Sequence, residues 1–159
     1  MKFRTAALCA FLLAAAGGCG TQGTAKPSEP APVPAVQTQA AHEEKRILVR
    51  DQAGHTVQFR LYDNPAAEAL YGQLPLTAAV ENFSTNEKMF YPAPLPVSGV
   101  PLSDAEAGEM AYYAPWDDVA MFFAPGRRND SLYALGRTEE GLEDLQALSG
   151  QITVEKAGE

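Results

Sequence analysis

The string GEMAYYAPWDDVAMFF, residues 108–123, contains the chain's one tryptophan, and it is where the side chains are best equipped for chemistry. Trp116 offers a flat stacking face, and Tyr112 and Tyr113 add hydroxyl groups beside it, a combination suited to an apolar or ring-bearing ligand. Glu87 and Tyr91, at the two ends of EKMFY, would add a charge and a further hydroxyl to the same rim. A structural reading of the same residues stands beside this one. In it Pro115 ends a strand, Trp116 plugs the mouth of a barrel, and Asp117 and Asp118 form a solvated turn. Neighbouring strand residues point to opposite faces, so these two aspartates cannot share one metal ion.

Other chemistries lack their parts. Arg127 and Arg128 follow Gly126 as a small basic tip that could hold an anionic group, or be surface loop chemistry and no more. His55 sits by the QAG turn and His42 far upstream, neither with a second ligand at metal spacing. No serine lies in a G-x-S-x-G setting, and no glycine-rich phosphate loop joins a strand to a helix. The residues therefore predict no metal, no cofactor and no catalytic set.

The ends of the chain fix an expected address. Lys2 and Arg4 precede the apolar run AALCAFLLAAAGG, which stops at Cys19 and is shorter than the roughly 20 residues of a transmembrane helix. The segment A-G-G-C resembles the lipobox of bacterial lipoproteins, which implies a signal peptide over 1–18 and a lipid-modified Cys19. An ordinary cleaved signal with an incidental cysteine is the other reading. Cys9 leaves with the signal, so no internal disulfide can form and packing must stabilise the domain. Residues 19–44, with prolines at 27, 30, 32 and 34, read as a stiff tether without a core. The expectation is a membrane partner through the anchor and a location on the extracytoplasmic side of a bacterial envelope.

Residues 45–157 are left to form one domain. Two of the 12 basic residues lie in the signal, and the ten that remain face 20 acidic ones. Such a surface repels phosphate backbones and excludes nucleic acid as a partner. KRILVRD and HTVQFRLYD flank QAG as a hairpin, with Val57, Phe59 and Leu61 on one face. Asp63, Asn64 and Pro65 start a short helix through AAEALYGQL, which Pro75 ends. LTAAVENF and EKMFY read as strands, and PAPLPVSGVPLSDAEAG as a long loop.

In the opening string Met110, Tyr112 and Ala114 face one way, Ala111 and Tyr113 the other; Val119, Met121 and Phe123 likewise oppose Ala120 and Phe122. Both strands are apolar on both faces and must be covered twice. SLYALG adds a strand, Thr138 is expected to cap a second helix through EEGLEDLQAL, and QITVEK ends the domain. Eight strands in so short a chain leave two costly edges unless the sheet closes. The fold expected is mainly β, a closed eight-stranded barrel capped by two short helices.

The segments FRLYDNPAAEAL (59–70), LPLT (74–77), NEKMFY (86–91), AGEMAYYAPWDDVAMFF (107–123), LGRTEEGLEDL (135–145) and TVE (153–155) resemble, in order and spacing, a bacterial family of cyclophilin-like fold proteins. The resemblance implies an eight-stranded barrel closed by two helices. It does not carry the prolyl isomerase chemistry of true cyclophilins, whose F-H-R and Q-G-G-D motifs are missing here; Arg60 follows Phe59 on a strand, but its neighbours do not match. The function expected is a lipid-anchored, non-catalytic module that presents a groove near Trp116, Tyr113, Glu87 and the long loop to a peptide or small molecule. A divergent peptidyl-prolyl isomerase acting on exported proteins is the alternative.

Overall fold

The structure is a computed structural model that describes residues 44–158. The signal sequence, Cys19, and the tether up to residue 43 with His42 lie outside the described residues. Nine strands and two helices follow in the order β1 (Arg46–Asp51), β2 (Thr56–Leu61), α1 (Pro65–Gly72), β3 (Leu76–Ala79), β4 (Glu81–Phe83), β5 (Glu87–Phe90), β6 (Glu109–Tyr113), β7 (Asp118–Phe122), β8 (Leu132–Glu140), α2 (Leu142–Leu145) and β9 (Gln151–Lys156).

All pairings are antiparallel, in the spatial order β3-β9-β1-β2-β8-β6-β7-β5-β4. The two ends of that order are consecutive in the chain, joined at Val80. The stretch 76–83 pairs with β9 through its first half and with β5 through its second. It closes the sheet into a nearly complete barrel. The strand expected over LTAAVENF is thus one extended segment serving both margins, which is why nine strands are found where eight were expected.

The interior is set by parity. Ile47, Val49, Val57, Phe59, Phe90, Met110, Tyr112, Val119, Met121, Ile152 and Val154 form one buried cluster. Burying each of the larger of these side chains contributes about 1.5–3 kcal/mol. The opposite parity of β6 and β7, Ala111, Ala120 and Phe122, joins Ala105 and Leu132 in a second cluster on the outer wall. Both strands are covered on both faces, as their composition requires.

One end of the barrel is closed by α1, which starts as its sequence demands. The Asn64 side chain accepts from the Ala67 amide at 3.0 Å, its amide nitrogen donates to the Ala134 carbonyl at 2.9 Å, and Pro65 takes the first turn. Ala66, Ala67 and Leu70 are buried beneath it.

The second helix differs from expectation. Thr138 caps nothing: β8 runs on through Glu140, pairing Phe59 with Thr138 and Gln58 with Glu140, while the Thr138 hydroxyl donates to the Gly108 carbonyl. The helix begins only after Gly141, which has φ 77° and lies so close to the Thr56 carbonyl that a Cβ there would meet it at 2.1 Å. Sheet pairing with β2 outweighs the local capping signal, since the ladder supplies partners that an isolated first turn lacks. Leu145 and Leu148 are buried, whereas Leu142 is exposed.

The long loop after β5 is held down along its length. Leu95 and Val100 enter the main core, and the Tyr112 hydroxyl accepts from the Leu95 amide. The buried Glu109 carboxylate accepts from the Ser103 hydroxyl at 2.6 Å and the Glu106 amide at 3.2 Å.

Candidate functional site

The β6–β7 connection occupies Ala114–Asp117, a tight turn in which the Trp116 amide donates to the Tyr113 carbonyl. Asp117 has φ 56°, a conformation aspartate tolerates better than most residues, and its carboxylate accepts from the Tyr112 hydroxyl. Tyr112 is therefore a core residue that braces the turn from inside the barrel. It does not reach the site its neighbours form.

Trp116 does not plug the barrel. It is 52% exposed and stands on the outer wall, edge-on to Tyr113 at 5.4 Å and to Phe83 at 5.5 Å between ring centroids. These three rings bound a groove of about 300 Å³. Its floor is the outward parity of two adjacent strands: Glu87 and Met89 from β5, and Asp118, Ala120 and Phe122 from β7. Residues Arg127, Arg128 and Asn129, from the turn after β7, close the far side.

The long loop, expected as a wall of this groove, contributes no lining residue; it supports the wall that does. The Gly126 amide donates to the Ala105 carbonyl at 2.7 Å, and Arg128 pairs with Asp104 at 2.8 Å. Gly126 comes down so closely that a Cβ there would lie 2.6 Å from the Phe122 ring.

Asp118 is not a solvated turn residue. It opens β7 with its side chain in the groove, 3% exposed, and its Oδ1 is the buried side-chain polar atom that lacks a hydrogen-bond partner among the described residues. Burial, together with the neighbouring Asp117 charge, pushes its carboxyl up to about 6. Glu87 lies along the same wall; burial, and then the Asp118 charge, push it up to about 7. Sequence reasoning missed Asp118, although its parity with Ala120 and Phe122 already assigns it to the outer face. It also missed Phe83, which reaches Trp116 only because β4 and β7 flank the same strand.

Tyr91, expected on the rim, and His55 and Arg60, for which no site role is expected, lie elsewhere. Tyr91 is exposed beside the groove, does not line it, and places its hydroxyl 4.0 Å from the Met89 sulfur. His55 is engaged by Asp51, with Nδ1 2.8 Å from Oδ2. Arg60 pairs with Glu139 at 3.2 Å and takes no part in the groove. Among the described residues no group of three or more His, Cys, Asp or Glu is placed to hold a metal ion.

No curated protein matches the chain. The fold is similar to the solution structure of a hypothetical protein from Archaeoglobus fulgidus, at TM-score 0.54 and 22% identity, over 72% of this chain and 95% of that one. It is also similar to the structure of McbB in complex with tryptophan, at TM-score 0.54 and 13% identity; the match covers 71% of this chain but 45% of that protein. At these identities the likeness is one of fold. The family model described as the cyclophilin-like family matches residues 51–156, which spans the barrel from the end of β1 to the end of β9. With the barrel, its two short helices and this match in agreement, the chain belongs to the cyclophilin-like family.

Proposed function

We propose that the protein is a binding module whose outer groove takes a small organic molecule or one side chain of a peptide. One observation carries this reading: an exposed tryptophan, held edge-on by two other rings, overhangs a cavity whose floor joins Met89, Ala120 and Phe122 to two carboxylates. Large exposed aromatics are costly to leave in water, and two of them, Trp116 and Phe83, bounding one concave site with the half-buried Tyr113 are a signature of ligand contact. That a structure of similar fold contains bound tryptophan is in keeping with this reading. The lipobox-like A-G-G-C and the proline-rich stretch complete it: Cys19 carries a lipid, and the barrel meets its ligand outside the cytoplasm.

Two measurements test the two halves. The full chain should bind a small aryl-alkyl probe, 2-phenylethylamine or 2-phenylethanol, by ligand-detected NMR, and Trp116→Ala should weaken that binding at least tenfold. Binding of neither probe, or equal binding by the variant, overturns the groove. Globomycin should make the expressing bacterium accumulate the uncleaved precursor, and a chain processed as before removes the anchor.

A further inference from the structure

The groove's charges are arranged unevenly, and that asymmetry bears on what it holds. Its floor carries two carboxylates, and its outer side two guanidinium groups. Of the latter, Arg128 is already paired with Asp104. Of the former, Asp118 is buried with one oxygen unpartnered. A purely anionic ligand would bring its charge toward Asp118 and Glu87, whereas a neutral apolar one would leave the Asp118 oxygen buried without a donor.

We propose that the groove takes an ammonium-bearing apolar ligand, its cation seated against Asp118 and its hydrocarbon part against Trp116, with Glu87, four strand positions farther along the wall, adding negative charge at a distance. This rests on the reading of the groove as a binding site and adds to it the charge of the ligand. A primary ammonium supplies the donors that Asp118 lacks, and a charge-assisted bond of this kind is stronger than a neutral one. The faces of Trp116, Tyr113 and Phe83 favour a cation over an anion or a neutral group. A divalent metal fits less well, because two carboxylates four strand positions apart in register do not make the oxygen shell a hard cation needs. The raised carboxyls of Asp118 and Glu87 agree, since a nearby cation is what would favour their charged forms.

The charged and titratable groups around Asp118 include Glu87 from β5, Tyr91 just after it, Tyr112 and Tyr113 from β6, Asp117 from the turn, and Arg127 and Arg128 from the turn after β7. Among these the two carboxylates of the floor change charge between pH 5 and 8. Binding of an alkylammonium, which stays protonated throughout, should therefore strengthen severalfold over that range, and binding of a neutral analogue should not.

The test uses the full chain and three probes of matched shape: 2-phenylethylamine, 2-phenylethanol and 3-phenylpropanoate. Trp116, the single tryptophan, reports binding by its fluorescence. The expected result is an amine that binds at least tenfold more tightly than the alcohol at pH 8, with a preference that shrinks at pH 5. Asp118→Asn should abolish the preference by weakening the amine far more than the alcohol, and Glu87→Gln should reduce it less. Equal binding of amine and alcohol, or tightest binding of the carboxylate, overturns the inference and leaves the groove standing. No binding of any of the three overturns both. The comparison among probes needs only the parent chain, so a variant that fails to fold does not remove the test.

Discussion

Two of the domain's aspartates, Asp51 and Asp118, are buried, and they are treated in opposite ways. Asp51, at the end of β1, accepts from the amides of Ala53 at 2.9 Å, His55 at 3.0 Å and Ser149 at 3.2 Å, and lies 2.8 Å from the His55 ring nitrogen. Burial by itself would raise its carboxyl, but the His55 side chain and the His55 and Ser149 amides outweigh that and hold it at about 2. Asp118, on the outer wall, has its own backbone amide as a partner but an Oδ1 without any, and with burial uncompensated its carboxyl stands at about 6. A buried charge with a complete set of donors is a structural clasp, here joining the β1–β2 turn to the segment before β9. A buried charge left short of donors costs stability in the free protein, and such a cost is retained where something outside the chain completes the set.

The contrast gives predictions of opposite sign. Asp51→Ala removes the acceptor for several donors at once, and should destabilise the domain by about 3–4 kcal/mol in chemical denaturation at pH 7. A loss below about 1 kcal/mol would show that the clasp is ornamental. Asp118→Asn should do the reverse and stabilise the domain at pH 8 by about 1–2 kcal/mol, discounted for screening on the open side of the groove. A destabilised variant would mean that Asp118 has a partner in solution, and the comparison would fail. Trp116→Ala sits at the end of the scale: half exposed, it should cost under about 1 kcal/mol even though it weakens probe binding.

The same pair shapes stability against pH. Asp51, with its folded value depressed to about 2, contributes stability that is present above the ordinary carboxyl range and is lost as pH falls toward 2. Asp118 and Glu87, with folded values raised to about 6 and 7, bind protons more tightly folded than unfolded, so their contribution is present at acid pH and is lost as pH rises from about 4 to 7. The parent's stability should peak on the acid side of neutrality, and in Asp118→Asn the peak should broaden upward.

Local signals carried much of the architecture. The QAG turn and the alternation around it gave the β1–β2 hairpin, found in the register Ile47 with Phe59 and Val49 with Val57. Asn64 and Pro65 gave the start of α1. Alternation in 110–122 separated the barrel interior from the outer wall, and followed one residue further it puts Asp118 in the groove and Tyr112 in the core. What local sequence does not encode is which strands become neighbours. The ring contact of Phe83 with Trp116 and the descent of Gly126 onto Phe122 depend on pairings between distant segments. Thr138 shows the converse, a sound capping signal overridden by a partner strand 79 positions earlier in the pairing of Phe59 with Thr138.

The split at Val80 makes the barrel a garment with a seam. On one side of it β4 is stitched to β5 by three residue pairs, and on its other flank, at the end of the order, no strand pairs with it, so Phe83 hangs from the shortest strand in the wall. Short, weakly braced strands open at lower free energy than the sheet they border. The ring that completes the aromatic boundary is thus mounted on the part of the wall best able to yield.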